Sequence, residues 1–541
     1  MKQIMPKRPE KMLPLLYEIN TRCWLRELSE ESGSSVTLGD VTLKQFEEWR
    51  NYGFTHIWLM GAWSTGPLAR AQALAHSSLR QSYSEAVPDW AEEDVAGSPY
   101  AIADYRISRT LGGDEGLEKF RARLHQHEMK LLLDFVPNHL GVDHSWLSSE
   151  PDLFVQSPVS APETFAQKTE LGTFWLAHGK DPYFAAWSDT VQIDYRREQT
   201  QIAMVKLLRS LAERCDGVRC DMAMLLLKDV FVKTWERFPS SSTASASEFW
   251  QAAIPAIKSE HPDFLFLAEA YWGTESRLLS LGFDYTYDKT LYDRLVNRDA
   301  RGVQEHLFGS GLELIKRSAH FLENHDEPRI ASILTPAEHR AAALLILALP
   351  GMRFLHQGQL TGARRRVPVQ LGRCGRDVPL VDIEAMYDQM LTVLKGTDVG
   401  DGKAELLRPL PAWAENPTAQ NFIVIQWQGE NFPKGNFRAS NAGTAVTGFS
   451  PSPLHGERPS GADAEAHRTV PDFTLAVVNL APHPSQCYVR PTVTELAAHR
   501  WSMKDLLGAQ QFERPGQELK EHGLYLDLPA HGAQLFHFKP I

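Results

Sequence analysis

Four short apolar runs in this 541-residue chain each end in side chains able to do acid–base or nucleophilic chemistry. LLLDFVPNH ends with Asp134, Asn138 and His139; GVRCD with Arg219 and Asp221; FLFLAEAYW delivers Glu269; FLENHD delivers His325 and Asp326. A carboxylate directly after an apolar strand is costly to desolvate, so it must be paired, exposed in a mouth, or used. One such acid fits a structural ion pair; four on strands around one axis fit a reaction site better. Three acids plus an arginine suit retaining glycoside cleavage, in which one carboxylate attacks the anomeric carbon and a second protonates the leaving oxygen. Arg219 alternates with Asp221 along its strand, which puts both on one face and lets the guanidinium keep that acid ionised. His139 and His325, read as neutral imidazoles, can donate to hydroxyls.

The elements that must carry these groups are eight apolar runs: Tyr17–Asn20, His56–Met60, Leu131–Phe135, Gly217–Asp221, Leu265–Glu269, Phe283–Tyr285, Ala319–Glu323 and Arg353–His356. Between them lie segments at helical spacing, such as Leu117, Phe120 and Leu124, and Ile202, Val205, Leu208 and Leu211. Eight strand–helix units predict an α/β chain built on a closed (β/α)₈ TIM barrel, whose active sites form at the C-terminal strand ends. Two excursions, Gly61 to about Ser98 and Leu140 to about Asp194, are too long for simple turns. Beyond Lys403 the runs NFIVIQW, FTLAVVNL, LYLDL and QLFHF predict an all-β sandwich. The expected organisation is a barrel over 1–139 and 195–400, a small inserted domain after strand 3 over 140–194, and a C-terminal β-sandwich domain over 401–541. Arg438 to Pro471, rich in Gly, Ser, Ala and Pro, is expected to be a surface loop.

Composition narrows the classes. Apolar residues at 43% and charged residues at 23% describe a globular chain. A net charge of -11, from 56 Lys and Arg against 67 Asp and Glu, argues against nucleic acid. Five scattered cysteines without a Cys-x-x-Cys pair suggest a reducing compartment and no zinc site. The first twenty residues lack the apolar core of a secretory signal, and the longest apolar run, Ala341 to Leu349, falls short of the roughly 20 residues that span a bilayer. A soluble cytoplasmic protein with no membrane partner is the expectation.

The four motifs, in this order, resemble the signatures of the α-amylase family, glycoside hydrolase family 13, over most of Tyr17 to about Leu394. SPYAIADY is similar to the segment whose Tyr stacks on bound sugar, and WSDTVQIDY to the close of the family's inserted domain. The resemblance implies Asp221 as nucleophile, Glu269 as general acid/base and Asp326 as transition-state stabiliser. Tyr100, His139, Arg219 and His325 would grip the reacting sugar, and Asp134 and Asp104 would support from behind. Among the aromatics expected at the mouth (Trp63, Trp90, Tyr183, Trp187, Tyr271, Trp272), Trp272, close after Glu269, is the one assigned to sugar binding.

Three departures qualify the resemblance. Met224 and Leu225 stand where relatives on long glucans carry a Lys-His pair, so either the far acceptor subsites are weak or the segment is simply buried. Gln359 stands at a commonly acidic position, followed by Arg364, Arg365 and Arg366, which fit either an anionic group or a solvated basic loop. The family often uses calcium, and Asn138 matches a position that serves it in some members, but no Asp-x-Asn-x-Asp-Gly loop follows the second strand. No metal ligand is assigned and no cofactor is required; calcium stays open. The expected activity is that of a retaining α-glycosidase or transglycosylase on α-linked glucosides or maltooligosaccharides. The alternatives are a phosphate- or sugar-phosphate-dependent transferase and a catalytically inactive carbohydrate-binding barrel. The sequence leaves oligomeric state open.

Overall fold

The computed structural model describes residues 12–170, 172–239, 248–375, 377–429 and 472–541. The loop expected at 438–471 lies outside them. Eight parallel strands close into a barrel in which each pairs with its neighbours in sequence, and the first pairs with the last. We number them β1 (Leu15–Asn20), β2 (His56–Met60), β3 (Lys130–Phe135), β4 (Gly217–Cys220), β5 (Leu265–Ala268), β6 (Tyr285–Tyr287), β7 (Ser318–His320) and β8 (Met352–His356).

Side-chain alternation divides the strands between two cores. Leu16, Trp58, Leu132, Leu267, Tyr287, Ala319 and Phe354 fill the barrel interior. Leu15, Ile57, Leu131, Leu133, Val218 and Phe266 face the surrounding helices. Asp134, Arg219 and Glu269 lie on the inward parity, at strand ends where the apolar layers stop.

Two expected strands shift. β6 begins at Tyr285, not Phe283, because Phe283 packs edge-on against Trp250, outside the barrel interior. β7 ends at His320, not Glu323. Beyond it the chain leaves the sheet, and the Asn324 side chain accepts the backbone N–H groups of Asp326 (2.9 Å) and Glu327 (3.0 Å), a turn that presents Asp326.

The helix Gly113–Gln126 buries Leu117, Phe120 and Leu124, as its spacing predicts. In Glu198–Ala212 the buried stripe is Thr200, Met204, Leu208 and Leu211, whereas Ile202 is 62% exposed. Leu208 and Leu211 lie in the stripe as their spacing predicts, but the rest of the face is set by what it packs against, which periodicity alone does not report.

After β3 the chain forms a three-stranded antiparallel sheet of Gln156–Ser157, Gly172–Ala177 and Thr164–Thr169, then returns through Thr190–Gln192 paired with His139–Gly141. Beyond the barrel, a six-stranded and a three-stranded sheet build the C-terminal part. In the strand Phe422–Gln428, Phe422 and Val424 face the core between these two sheets. Ile423, Ile425 and Trp427 join the barrel's core instead, and the Trp427 indole N–H donates to Ala348 O at 2.7 Å. This strand is therefore buried on both faces, which explains its continuous apolar run.

Candidate active site

Arg219 organises the mouth. Its side chain is 1% exposed, with Nη1 2.7 Å from Asp221 Oδ1 and Nη2 2.8 Å from Glu269 Oε2. Nε donates to the Tyr287 hydroxyl at 3.3 Å, and the guanidinium lies over the rings of Trp58 and Tyr100. Parallel pairing of β4 with β5 brings these side chains together, since Arg219 is opposite Leu267 and Cys220 opposite Ala268. Directly after Asp221, Met222 adopts φ 43°, a left-handed conformation costing roughly 1–2 kcal/mol in a non-glycine residue. There its backbone N–H donates to Glu269 Oε2 at 2.7 Å, so the strained residue helps to seat that carboxyl group.

A second cluster faces the first. His325 Nδ1 lies 2.5 Å from Glu18 Oε1, and its Nε2 lies 2.6 Å from the Tyr100 hydroxyl and 3.0 Å from Asp326 Oδ2. Tyr100 and His325 stack with ring centroids 5.4 Å apart. Glu18 is fully buried on the inward parity of β1, whereas the Asp326 side chain keeps 48% exposure toward the open mouth. Asp134 sits beneath, accepting from the Trp58 indole N–H and from the N–H of Gly61 at 2.9 Å. Gly61 has φ 76°, and a Cβ there would meet Pro99 at 3.0 Å, so the tight turn that delivers this N–H requires glycine. His139 is buried against Trp187 and bonds to the backbone of Tyr100.

The electrostatics separate these groups. Two cations, Arg219 and His325, face the carboxyl groups of Glu18, Asp221, Glu269 and Asp326. Burial pushes Glu269 up to about 7; Arg219 opposes the shift, and Asp221 and Asp326 add to it. Burial also raises Asp221, against the pull of Arg219 and His325, so Arg219 orients that acid without returning it to the ordinary carboxylate range. At Asp326 the cost of burial is overcome by the charge and hydrogen bond of His325, helped by Arg219 and Arg366, and the acid is held well below its ordinary value. Burial alone would neutralise His325, but Asp326 and Glu18 hold it well above the ordinary imidazole range. The neutral imidazole expected at 325 is therefore corrected to a charged one. At His139 burial prevails and pushes the ring down to about 4, so it is neutral as expected. Asp134 is raised by burial to about 6.

Of the sequence-derived residues, the structure gathers Tyr100, Arg219, Asp221, Glu269, His325 and Asp326 into one network, with Asp134 below and His139 beside it. Trp272 stands apart at the rim, 44% exposed, its ring edge-on to Tyr183 at 4.9 Å. Asp104 is exposed and pairs with Arg106 at 3.6 Å, so it does not support the site from behind. Sequence reasoning missed Glu18 and left Tyr271 unassigned, although the Tyr271 hydroxyl donates to Glu269 Oε1 at 2.7 Å.

The departures also resolve. Met224 and Leu225 are buried, at 0% and 3% exposure, in the turn Ala223–Leu226, so their apolar character serves packing. Gln359 is buried, bonding to the Tyr387 hydroxyl and the His356 N–H. Arg365 pairs with Asp377, which also accepts the backbone N–H groups of Arg364 and Arg365. Arg366 pairs with no carboxylate among the described residues. It lines a cavity of about 520 Å³ that opens beside His325, with Tyr17, Asn20, Arg329 and Arg365.

Calcium does not fit the oxygens of Asn138. The Gln192 amide Nε2 donates to Asn138 O (2.8 Å) and also contacts Asn138 Oδ1 and Ile193 O (both 3.1 Å), placing a protein nitrogen where a cation would have to sit. Flipping that amide would set an oxygen against three acceptors, so the assignment is forced. Among the described residues no group of three or more His, Cys, Asp or Glu is arranged to hold a metal ion.

The alpha-amylase catalytic-domain model matches residues 87–371, which contain Tyr100, Arg219, Asp221, Glu269, His325 and Asp326. Alpha-amylase 3 of Dictyoglomus thermophilum is 23% identical over 375 residues, 65% of this chain and 65% of that protein. An alpha-1,4-glucan:maltose-1-phosphate maltosyltransferase of Pseudomonas aeruginosa is 24% identical over 36% of this chain and 26% of its own length. The chain thus spans about two thirds or less of these curated relatives. In fold, it is similar to a noncanonic maltogenic alpha-amylase from Thermotoga neapolitana, with TM-score 0.62 and 17% identity over 98% of this chain and 99% of that one. With the catalytic-domain model matched across more than half of its length, this chain belongs to the alpha-amylase family.

Proposed function

We propose that this protein is a retaining α-glycoside hydrolase or transglycosylase acting on α-linked glucosides or maltooligosaccharides through a covalent glycosyl-enzyme intermediate. The observation that carries this reading is the Arg219 bridge, which joins Asp221 to Glu269 through the two arms of one guanidinium. Retaining enzymes keep their two carboxyl groups only about 5–5.5 Å apart, and a guanidinium between them suits that spacing.

Asp221, oriented by Arg219, is the nucleophile. Glu269, whose proton is kept to about pH 7, is the acid that protonates the leaving oxygen, and its carboxylate then activates the incoming water or sugar. Asp326, kept anionic by His325, stabilises positive charge that develops at the anomeric carbon. Tyr100, His139, Arg219 and His325 form the sugar-gripping wall, and Trp272 with Tyr183 offers an aromatic edge for a leaving or accepting sugar. The barrel assigned to 1–139 and 195–400 carries the chemistry, with 140–194 supplying His139's neighbour Trp187 and 401–541 bracing the barrel. Five free cysteines support work in a reducing, cytoplasmic setting.

The test is an NMR time course with maltoheptaose and with maltose, each with and without inorganic phosphate. α-Anomeric products formed without phosphate are expected, and products longer than the substrate identify transfer. β-Anomeric first products would overturn the retaining assignment. A second reading, a phosphate- or sugar-phosphate-dependent transferase, is favoured by Arg366 alone: its charge reaches Asp326 from the cavity beside His325. Activity only in the presence of phosphate would replace the first reading with it.

A further inference from the structure

Glu269 is held by three neighbours that are not equivalent. Oε2 meets Arg219 Nη2 and the Met222 N–H, and both can only donate. A neutral Glu269 therefore cannot carry its proton on Oε2 without setting a hydrogen against two donors. The proton must sit on Oε1, whose hydrogen-bond neighbour is the Tyr271 hydroxyl at 2.7 Å. A phenol can donate to a carboxylate and, by rotating its hydrogen, accept from a carboxylic acid.

We propose that Tyr271 is the positioning residue for the acid/base: its hydroxyl reverses roles with each change of Glu269, fixing the transferable proton on Oε1 and satisfying that oxygen once the proton has left. This rests on the reading of Glu269 as acid/base.

The local backbone is built to hold the phenol there. Trp272 and Gly273 follow with φ 64° and 72°, a left-handed pair that is costly for a bulky aromatic residue. The Thr274 hydroxyl donates to Tyr271 O at 2.7 Å, locking the turn. The other groups facing Glu269 are Arg219 and Asp221 at the end of β4, and Asp326 beyond β7. Tyr287 on β6 acts through Arg219 Nε. None of these is a neutral group able both to accept and to donate at Oε1.

The experiment compares wild type, Tyr271→Phe, and 3,5-difluorotyrosine incorporated at 271. Donation to a carboxylate is stronger than acceptance from an acid, so losing the hydroxyl raises the basic limb of kcat/KM on maltoheptaose by about 0.5–1 pH unit. The more acidic fluorinated phenol moves it down. The same Tyr271→Phe variant loses roughly tenfold in kcat with little change in KM, because the acid's geometry is loosened while sugar contacts persist. With 2,4-dinitrophenyl α-glucoside, whose leaving group needs no proton, glycosylation stays near wild type. Melting curves confirm folding, since only one oxygen is removed. Glu269→Gln serves as the reference: loss of the basic limb in that variant, with an unmoved limb and kcat in Tyr271→Phe, sinks the proposal alone. Retention of the limb in Glu269→Gln sinks the acid/base reading, and this proposal with it.

Discussion

Glu18→Gln isolates a charge whose removal leaves the shape of the site intact. The glutamine carbonyl can still accept from His325 Nδ1 at the position now held by Glu18 Oε1, 2.5 Å away, so the imidazole keeps its orientation. What disappears is one of the two carboxylates that hold His325 positive; the other, Asp326, is the larger contributor and remains, with its side chain 48% exposed. A hydrogen bond to a charged group contributes about 1.5–3 kcal/mol, against about 0.5–1.5 for a neutral one. If His325 sheds its proton, Asp326 loses its nearest cation, and the full charged bond is forfeited on the path to the transition state. The expected fall in kcat/KM is on the order of 10- to 150-fold.

The stability effect has a defined sign. A histidine whose folded pKa is raised contributes stability that is fully present below about pH 6.5, its unfolded value, and is lost as pH rises through the folded value. The melting difference between wild type and Glu18→Gln should therefore be widest near pH 6 and shrink in alkaline buffer. The assays are kcat/KM with maltoheptaose and thermal melting, each across that range. A variant within twofold of wild type at every pH, with no pH-dependent melting gap, would refute the claim that Glu18 keeps His325 charged.

Three further perturbations test other parts of the structure. Met224→Ala empties a fully buried position and should cost about 2–5 kcal/mol in urea unfolding, with preference among acceptor sugars unchanged; altered acceptor preference would return that residue to the acceptor site. Chelator treatment should leave melting temperature and activity unaffected, since Gln192 fills the place beside Asn138, whereas a drop reversed by calcium would contradict the donor assignment. Arg366→Ala should raise KM for a sugar phosphate roughly tenfold more than for a neutral maltooligosaccharide if the cavity beside His325 takes an anion, and equal effects would discard the phosphate-dependent reading.

Much of the fold was legible because apolar runs and helical spacing report local burial directly. Six of the eight barrel strands lie within two residues of their expected bounds, β1 starting two residues early and β3 and β8 one. The two that shifted, β6 and β7, are three residues long. In such strands the hydrogen-bonded ladder is shorter than the apolar run, and tertiary packing decides which part joins it. Phe283 illustrates this, since its apolar character serves the Trp250 contact outside the barrel. Ile202 shows the same limit on a helix: its spacing fits the stripe, but the neighbouring surface that would cover it is not encoded locally.

Apart from Tyr100, marked by the resemblance of its segment, the site was legible where chemistry sits at a strand end. Asp221, Glu269 and Asp326 each follow an apolar run, so the cost of burying charge marked them. The same rule applied to β1, LLYEIN, would have flagged Glu18, which shares the inward parity of Leu16 and Asn20, but the acid lies inside the run and its partner is His325, 307 residues away. β1 pairs with β8 and β2, never with β7, so this contact exists only because the barrel closes and the turn at Asn324 brings His325 across the mouth. Tyr271 was hidden for a different reason. An aromatic two residues after Glu269 reads as a sugar platform, and its hydroxyl's place on Oε1 depends on the left-handed turn at Trp272, an unfavourable conformation that propensity argues against. Trp272 drew the sugar-binding assignment by following closely after Glu269, yet its contribution to Glu269 is that of the strained backbone that aims its neighbour.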